Sequence, residues 1–213
     1  MKKLVIPFIS ILFLSLLVSC TSLLGGSGDA SAMKGVELYQ DGKYEEAIEA
    51  LNDAVKNGTD KYEQSEVYSV LGGCYLELGD YEKAIEAYKT SLEEDSTSVS
   101  GWVNLGVAYR QNGDLTDAED CYIKALDIDP EYAELRSSLG TLYIIKNEPE
   151  KAVVEFDKAI ELNPTLAVAH GNAALAYAMI GDFERAEELL NQSKVLGYQN
   201  AAEIQSRIDM LKD

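Results

Sequence analysis

The sequence predicts an all-α solenoid built from stacked helix pairs, and three observations carry that prediction. The first is a period, since four similar windows begin at positions 79, 113, 147 and 181, each 34 residues after the last. The second is that small and large apolar side chains recur at fixed positions of these windows. The third is that only four prolines occur, so helix can run almost uninterrupted from residue 30 to the end.

The period is visible directly in the sequence. The windows are GDYEKAIEAYKTSL (79–92), GDLTDAEDCYIKAL (113–126), NEPEKAVVEFDKAI (147–160) and GDFERAEELLNQSK (181–194). A weaker copy, GKYEEAIEALNDAV (42–55), begins 37 residues before the first of them. A fixed period of this length is typical of repeat architectures, in which each unit buries its apolar face against its neighbours.

The recurring side chains are those that a helix–turn–helix unit needs. A small residue lets two helices approach to about 8 Å, and a large one fills the space beside it. The small positions are Gly35, Gly72, Gly106, Gly140 and Ala174 on the first helix and Ala47, Ala84, Ala118, Ala152 and Ala186 on the second. The large ones are Leu38, Tyr75, Tyr109, Tyr143 and Tyr177, then Leu51, Tyr88, Tyr122, Phe156 and Leu190.

Turn residues stand between the two predicted helices of each unit. A left-handed residue is expected where the first helix ends, and glycine or asparagine adopts that conformation most easily. Aspartates that follow are expected to cap the second helix. The predicted helix-ending residues are Gly42, Gly79, Gly113, Asn147 and Gly181, and the predicted caps are Asp80, Asp114 and Asp182. Pro149 falls in a first helical turn, and Pro130 and Pro164 separate units.

The third unit carries nearly the full pattern of a known repeat: Trp102, Leu105, Gly106, Tyr109, Gly113, Ala118, Tyr122, Ala125 and Pro130. With these residues the chain resembles the tetratricopeptide repeat (TPR) family over residues 28–200. The resemblance implies five helix–turn–helix repeats, at about 28–61, 65–98, 99–132, 133–166 and 167–200, wound into a right-handed superhelix. Ala201, Ile204, Ile208 and Leu211 form one helical stripe, which predicts a capping helix over 201–213.

The first unit departs from the pattern. Lys34 stands where other units have leucine or alanine, and about three extra residues (62–64) separate this unit from the second. Terminal repeats are often atypical because one side faces water. We therefore expect the first helix to be frayed.

The N-terminus reads as a targeting segment. A basic start is followed by an uncharged apolar run (4–18), which suits a secretory signal peptide better than a membrane span. Leu17-Val18-Ser19-Cys20 is similar to the lipobox of bacterial lipoprotein precursors. This implies a signal peptide over 1–19, lipid on Cys20, and a location outside the cytoplasm, anchored to the plasma or outer membrane. An ordinary secretory signal or an uncleaved anchor are the alternatives.

Residues 21–32 (TSLLGGSGDASA) are dominated by glycine, serine and alanine. No periodic apolar face occurs in them, so we predict a flexible linker over 20–32 that precedes a TPR domain over 33–213. Twelve such residues have a root-mean-square reach on the order of 20 Å. The domain is then expected to stand away from the membrane.

The charge excludes one class of partner. The net charge is −19, and removal of Lys2 and Lys3 with the signal peptide would make it −21. Such a surface repels phosphate backbones, so we expect no nucleic-acid binding. It also repels anionic lipid headgroups, a problem that acyl chains on Cys20 would overcome. The acids concentrate on second helices and indicate a solvated outer face or, alternatively, a docking surface for a basic partner.

Residues that could carry chemistry are few. His170 is the single histidine and occupies a packing position of the repeat, so no catalytic triad or Cys/His metal cage can be assembled. Cys74 and Cys121 are predicted to be buried free thiols, with a disulfide between them left open. No phosphate-binding glycine loop is present. We expect no enzyme activity, no metal and no cofactor.

The TPR resemblance implies a ligand site in the concave groove of the first helices. The groove positions carried over are Tyr39, Glu77, Asn104, Val107, Arg110, Gln111, Thr141, Asn172 and Leu175, with Val36, Gln40, Glu66, Leu76, Glu134, Ile144 and Met179 beside them. Arg110 is the only full positive charge in this set, which argues against a clamp for an acidic C-terminus. Asn104 and Asn172 suit hydrogen bonds to a peptide backbone. The expected ligand is an extended or helical segment of another protein.

These features together predict a membrane-tethered scaffold or assembly adaptor in the bacterial cell envelope. A pilotin-like assembly factor for a secretion or pilus machine is an alternative within the same class. A binding protein for a small ligand, such as a peptide or cell-wall fragment, is an alternative from another class.

Overall fold

The computed structural model describes residues Ser27–Lys212, and within them the chain forms eleven α-helices and no strand. The helices are α1 (Ser27–Gln40), α2 (Tyr44–Asn57), α3 (Gln64–Leu78), α4 (Tyr81–Glu94), α5 (Val99–Asn112), α6 (Leu115–Ile128), α7 (Ala133–Ile145), α8 (Pro149–Leu162), α9 (Ala167–Met179), α10 (Phe183–Val195) and α11 (Ala201–Lys212). The all-α prediction is confirmed. The predicted signal peptide and Cys20 lie outside the described residues.

The helices are arranged in five pairs and a cap. Each odd-numbered helix up to α9 packs along the even-numbered helix that follows it, and α11 packs against α9 and α10. First helices of neighbouring pairs also contact one another, as α1 does with α3 and α7 with α9. The first helices therefore form the inner layer of a solenoid, and the second helices form the outer layer. In the region from Ser27 to Lys212, no helix combines the length and apolarity needed to cross a membrane.

Within each of the three central pairs, a glycine on the first helix faces an aromatic ring on the second. A Cβ atom at Gly106 would lie 2.5 Å from Cε1 of Tyr122, and one at Gly140 would lie 2.9 Å from Cε1 of Phe156. Both distances are shorter than carbon atoms tolerate, so only glycine permits this approach. Tyr122 and Phe156 are in turn almost completely buried. The predicted role of the small and large positions is thus observed in the packing.

The predicted turns adopt the expected backbone. φ is 74° at Gly42, 78° at Gly79, 96° at Gly113 and 84° at Gly181, and Asn147 takes the same left-handed region with φ 58°. These residues end the first helix of each pair and let the chain reverse.

Two of the three predicted aspartate caps are present. The side chains of Asp80 and Asp182 accept hydrogen bonds from the backbone N–H groups of Lys83 and Arg185. The prediction for Asp114 was wrong, because its carboxylate accepts instead from Nδ2 of Asn112 at 2.7 Å.

The linker prediction was wrong at its C-terminal end, since α1 already begins at Ser27. Ala32 is fully buried, and a Cβ atom at Gly28 would collide with the carbonyl of Gly58, the residue that follows α2. Asp29 is also buried and accepts hydrogen bonds from two backbone N–H groups of the loop after α2, each 3.0 Å long. The small residues allow α1 to pack closely against the neighbouring segment. Helix α1 is therefore a complete helix of 14 residues, and the expectation that it would be frayed was wrong.

The apolar core divides along the solenoid. A single cluster of buried side chains extends from α6 to α11, with Phe156, Leu142 and Leu189 at its centre. The N-terminal part contains two smaller clusters, one around Leu51 and one around Tyr88.

The single histidine and the two described cysteines belong to this packing. His170 is buried, and its Nε2 lies 2.9 Å from the carbonyl oxygen of Pro164. Cys74 and Cys121 are buried free thiols, as predicted, and neither forms a disulfide. Burial raises the pKa of Cys74 to about 12 and that of Cys121 to about 11, which keeps both protonated and unreactive at neutral pH.

Candidate functional site

The candidate site is the inner face of the solenoid, formed by one side of α3, α5 and α7. Residues spaced by three or four along these helices point away from the buried seam with the second helices. On α5 this side carries Val103, Asn104, Val107, Arg110 and Gln111, while Leu105, Gly106 and Ala108 are buried on the other. Most of the predicted groove residues therefore share one face.

Two contacts between first helices show how this face is ordered. The Tyr39 ring of α1 lies over Gly73 of α3, within 3.2 Å of where a Cβ would be. The Asn172 amide of α9 donates to Oγ1 of Thr141 on α7 at 3.2 Å. Gly73 and Thr141 stand at the same repeat position, which Val107 occupies on α5. Both contacts therefore lie on the floor of one groove.

Tyr39 closes the groove at its N-terminal end. Its ring packs against Tyr44 with centroids 5.7 Å apart and fills the space that the absent side chain of Gly73 leaves. Burial, and then the nearby carboxylate of Glu77, raise the pKa of Tyr39 to about 12. Tyr39 is thus a wall of the groove rather than a freely available contact.

Tyr198 closes the groove at its C-terminal end. It lies in the loop before α11, and its ring occupies the position where a Cβ of Gly171 would be. The Tyr198 hydroxyl donates a hydrogen bond to Oδ1 of Asn172 at 3.4 Å. The Thr141 hydroxyl in turn donates to the carbonyl oxygen of Ser137 at 2.9 Å. A chain of hydrogen bonds thus joins the cap loop, α9 and α7.

Two predicted groove residues of α9 are engaged inside the protein. Leu175 is only 2% exposed and belongs to the core, so its prediction as a groove contact was wrong. The amide of Asn172 is already bonded on both sides, to Thr141 and to Tyr198. Sequence spacing places a residue on a face of a helix, but a neighbouring ring can still cover it.

Arg110 is turned toward the second helix. Burial raises the pKa of the Tyr122 hydroxyl on α6, and the Arg110 guanidinium beside it offsets part of that rise. Arg110 forms no ion pair with any residue in the described stretch, and its Nε is buried without a hydrogen-bond partner. Its charge is therefore held at the edge of the groove floor.

Between the two closed ends lies an open stretch that we call the groove window. Its floor and rims are formed by residues of α3, α5 and α7: Glu66, Val70, Glu77, Val103, Asn104, Val107, Gln111, Glu134, Ser138, Ile144 and Ile145. Ile145 is 51% exposed. Helices α3 and α5 contact each other, as do α7 and α9, and the window extends across the junction between α5 and α7.

The same junction is held on its outer side by a polar cluster. The Tyr143 hydroxyl donates to Oε1 of Glu119 at 2.8 Å, and Lys146 forms an ion pair with Oε2 of the same carboxylate. Burial alone would raise the pKa of Glu119, but hydrogen bonds from Lys146 and Tyr143 hold it below its ordinary value. Glu119 is therefore ionised and ties α6 to α7 while the inner side stays open.

Neither closure of the groove was predicted from the sequence. Gly73 is the residue after the repeat glycine Gly72, and Gly171 is the residue before Asn172. Neither stands at the small position of the seam, so the repeat pattern explains neither glycine. A glycine that the seam does not require is a signal of close approach by another group. Here the groups are Tyr39 and Tyr198.

A separate cavity lies between α2 and α3, where the loop carries the extra residues. Its volume is about 450 Å³, and its lining combines apolar Ala54, Val55 and Val67 with the Tyr62 ring and two carboxylates, Glu63 and Glu94. The described part of the chain holds no group of three or more His, Cys, Asp or Glu side chains placed to bind a metal ion.

Comparison with known families identifies the repeat along most of the chain. The family model described as "Cilia and flagella-associated protein 70 C-terminal domain" matches residues 21–135. Two models described as "Tetratricopeptide repeat" match residues 133–166 and 155–188.

Curated relatives match over short stretches. The chain is 33% identical over 73 residues to photosystem I assembly protein Ycf3 of Synechococcus sp. (strain CC9902), which is 34% of this chain and 42% of that protein. It is 42% identical over 64 residues to heat shock protein STI1 of Saccharomyces cerevisiae, which is 28% of this chain and 11% of that protein. The chain thus spans less than half the length of these relatives.

Solved structures share the fold over most of the chain. A crystal structure of MamA protein superposes with a TM-score of 0.71 at 24% identity, covering 83% of this chain and 94% of that one. A tetratricopeptide repeat protein from Parabacteroides merdae ATCC 43184 gives 0.79 at 21% identity, covering 87% of this chain and 73% of that one. At these identities the similarity shows the fold.

Proposed function

We propose that this chain, which belongs to the tetratricopeptide repeat proteins, is a protein-binding scaffold or assembly adaptor. Its family is the one described as the cilia and flagella-associated protein 70 C-terminal domain. A segment of a partner protein binds in the groove window. Relatives in the same repeat family include a protein named for photosystem I assembly. That name supports the class of function and does not name the partner.

The groove window is the single observation that carries this proposal. It is a continuous face on which half-buried apolar side chains such as Val103 and Val107 alternate with the polar Asn104 and Gln111. Apolar side chains give such a groove its affinity, and amides can bond a peptide backbone. The face is built on packed helices, so a partner meets a surface that is already ordered.

Site-specific photocrosslinking tests the groove as the binding face. A benzoylphenylalanine at Gln111, which is exposed in the groove window, should capture one or a few defined proteins in cells. The same group at Glu184, exposed on α10 of the outer layer, is the matched control. Capture at Gln111 should fall when Ile145→Glu is added. Equal capture from both positions, or capture unaffected by Ile145→Glu, would place the binding face elsewhere.

We further propose that lipid on Cys20 tethers this scaffold to a bacterial membrane on the extracytoplasmic side. The lipobox-like residues 17–20 and the apolar run before them support this proposal. The first measurement is the intact mass and membrane partition of the wild type beside Cys20→Ser. Acyl mass that is lost in the variant, together with release from the membrane fraction, is the expected result. A soluble wild type without added mass would refute the tether and leave the groove proposal standing.

Small-ligand binding is a second candidate, and the cavity between α2 and α3 is the observation that favours it. Its volume of about 450 Å³ is within the range of small-molecule pockets. A ligand held there should raise the melting temperature of the wild type. Tyr62→Ala should remove that shift while Tyr81→Ala, outside the cavity, should not. If no cell-wall peptide or sugar fragment shifts the wild type, this candidate fails.

A further inference from the structure

We propose that the groove window selects a short partner segment that combines apolar side chains with lysine or arginine residues. This inference rests on the proposed function and adds the chemistry of the partner. Three features carry it: the length of the window, its apolar floor, and the unpaired carboxylates on its rims.

The length follows from the two closed ends. Tyr39 fills the groove beside α3, and Tyr198 covers the groove side of α9. Three first helices, α3, α5 and α7, remain open between them. Packed helices lie 8–10 Å apart, so the window is about 20 Å long. An extended chain advances about 3.3 Å per residue, so about six residues fit. The partner segment is therefore short.

The floor of the window is apolar. Val70, Val103, Val107 and Ile144 are each half-buried against the core, so their positions are fixed before a partner arrives. Ile145 stands at the rim with half of its surface in water. A segment that covers these side chains removes apolar area from water, which favours binding. Wholly polar segments lack this gain.

The rims of the window carry three exposed carboxylates. Glu66 and Glu134 stand at the same position near the start of α3 and α7, and Glu77 lies at the opposite end of α3. None of the three takes part in an ion pair with the described residues, although neighbouring helices hold several such pairs. They are therefore available to cations of a partner.

The single cation of the groove does not oppose this assignment. Arg110 lies beside the Tyr122 hydroxyl of α6, and its Nε is buried in the protein. The chain as a whole carries a net charge of −19, so its field also attracts a basic segment. Exposed ion pairs contribute little to affinity individually, and their main effect is to select the sign of the partner.

Binding of designed peptides to the full-length protein in detergent tests the inference. The probes are three eight-residue peptides of alternating valine and lysine, valine and glutamate, and serine and lysine. The valine–lysine peptide should bind most tightly. The triple variant E66Q/E77Q/E134Q should weaken it on the order of tenfold. The control E82Q/E150Q/E161Q removes three exposed carboxylates from the second helices, and its affinity should stay within about twofold of the wild type.

Three outcomes would overturn the inference. Equal or tighter binding of the valine–glutamate peptide would make Arg110 the selective group. If the serine–lysine peptide bound as tightly as the valine–lysine peptide, general charge attraction alone would explain the binding. An equal loss in the control variant would assign the effect to the overall field. Unchanged far-UV circular dichroism and melting temperature of each variant exclude misfolding as the cause.

The crosslinking result separates this inference from the proposed function. Groove-specific capture at Gln111 combined with failure of the valine–lysine peptide refutes only the charge assignment. Failure of both refutes the groove as a binding face, and the inference falls with it.

Discussion

The seam between paired helices and the groove face of the same first helices differ in how closely they follow the repeat. In the seam, Gly72, Gly106 and Gly140 each meet an aromatic ring of the next helix in the same way. On the groove face, the next position along each helix holds Gly73, Val107 and Thr141 in turn. The Tyr39 ring covers Gly73, whereas the Asn172 amide donates to Thr141. The seam side of each of these first helices makes the same kind of contact in every repeat, whereas the contacts of the groove side differ from repeat to repeat.

The difference separates the residues that specify the fold from those available for function. A seam position must suit the helix pair in every unit, because each unit buries the same kind of surface. A groove position is under no such requirement, so it can close the groove, join two helices or stay open for a partner. Substitutions in the seam should therefore reduce stability, and substitutions in the groove window should reduce partner binding with little effect on stability.

The largest expected effect is in the seam. Phe156→Ala removes a fully buried ring beside Gly140 and should lower the free energy of unfolding by about 3–5 kcal/mol. Urea denaturation of the full-length protein, followed by far-UV circular dichroism, measures it. Val154→Ala on the same helix is the control, because Val154 is 50% exposed and should cost about 0.5 kcal/mol or less. Similar losses in both variants would contradict the comparison.

The next effect tests the glycine–ring pairing itself. Gly106→Ala places a Cβ 2.5 Å from the Tyr122 ring and should cost about 1–3 kcal/mol through overpacking. The fifth repeat carries Ala174 and Leu190 at these two positions. Gly106→Ala combined with Tyr122→Leu should therefore cost less than the sum of the single changes in a double-mutant cycle. Strict additivity would show that the pair does not act as a unit.

A smaller effect is expected where the groove is closed. Tyr198→Phe keeps the ring over Gly171 and removes the hydroxyl that donates to Asn172 at 3.4 Å. Because this hydrogen bond is long, the loss should be at the lower end of about 0.5–1.5 kcal/mol. Tyr132→Phe is the control, since no hydrogen bond of its hydroxyl is formed within the described residues. An equal effect in both would show that the closure depends on packing alone.

The smallest effect is expected in the groove window. The triple variant E66Q/E77Q/E134Q changes three exposed side chains without ion pairs and should alter unfolding by no more than about 0.5 kcal/mol per site. The melting temperature measures this directly. A large loss would mean that these carboxylates stabilise the solenoid, and the separation of fold from function on this helix face would fail.

The repeat pattern predicted the seam, the turns and the order of helices, and the groove face was predicted only in outline. Gly79 and Gly113 were assigned to left-handed turns because that conformation has few other occupants. Leu175 was assigned to the groove from the TPR resemblance and is instead buried. The difference is that a turn depends on one residue and its neighbours, whereas exposure depends on elements that are distant in sequence.

The start of the domain illustrates the same limit. Glycine, serine and alanine in residues 21–32 have the composition of a linker, yet Gly28 and Ala32 pack in α1. Composition alone does not distinguish a small residue that is flexible from one that allows two helices to approach. The loop after α2, which supplies the contacts to Gly28 and Asp29, resolves the ambiguity.

By itself, the sequence determined the 34-residue period, the helix pairs and the residues that join them, because these follow from a local pattern that recurs in five units. Only the tertiary structure decided which part of the groove is open. Tyr39 and Tyr198 close its ends from elements outside the helices that they cover. The open part of the groove depends on which tyrosine ring contacts which glycine. These contacts join residues that are far apart in sequence, so the repeat period does not encode them.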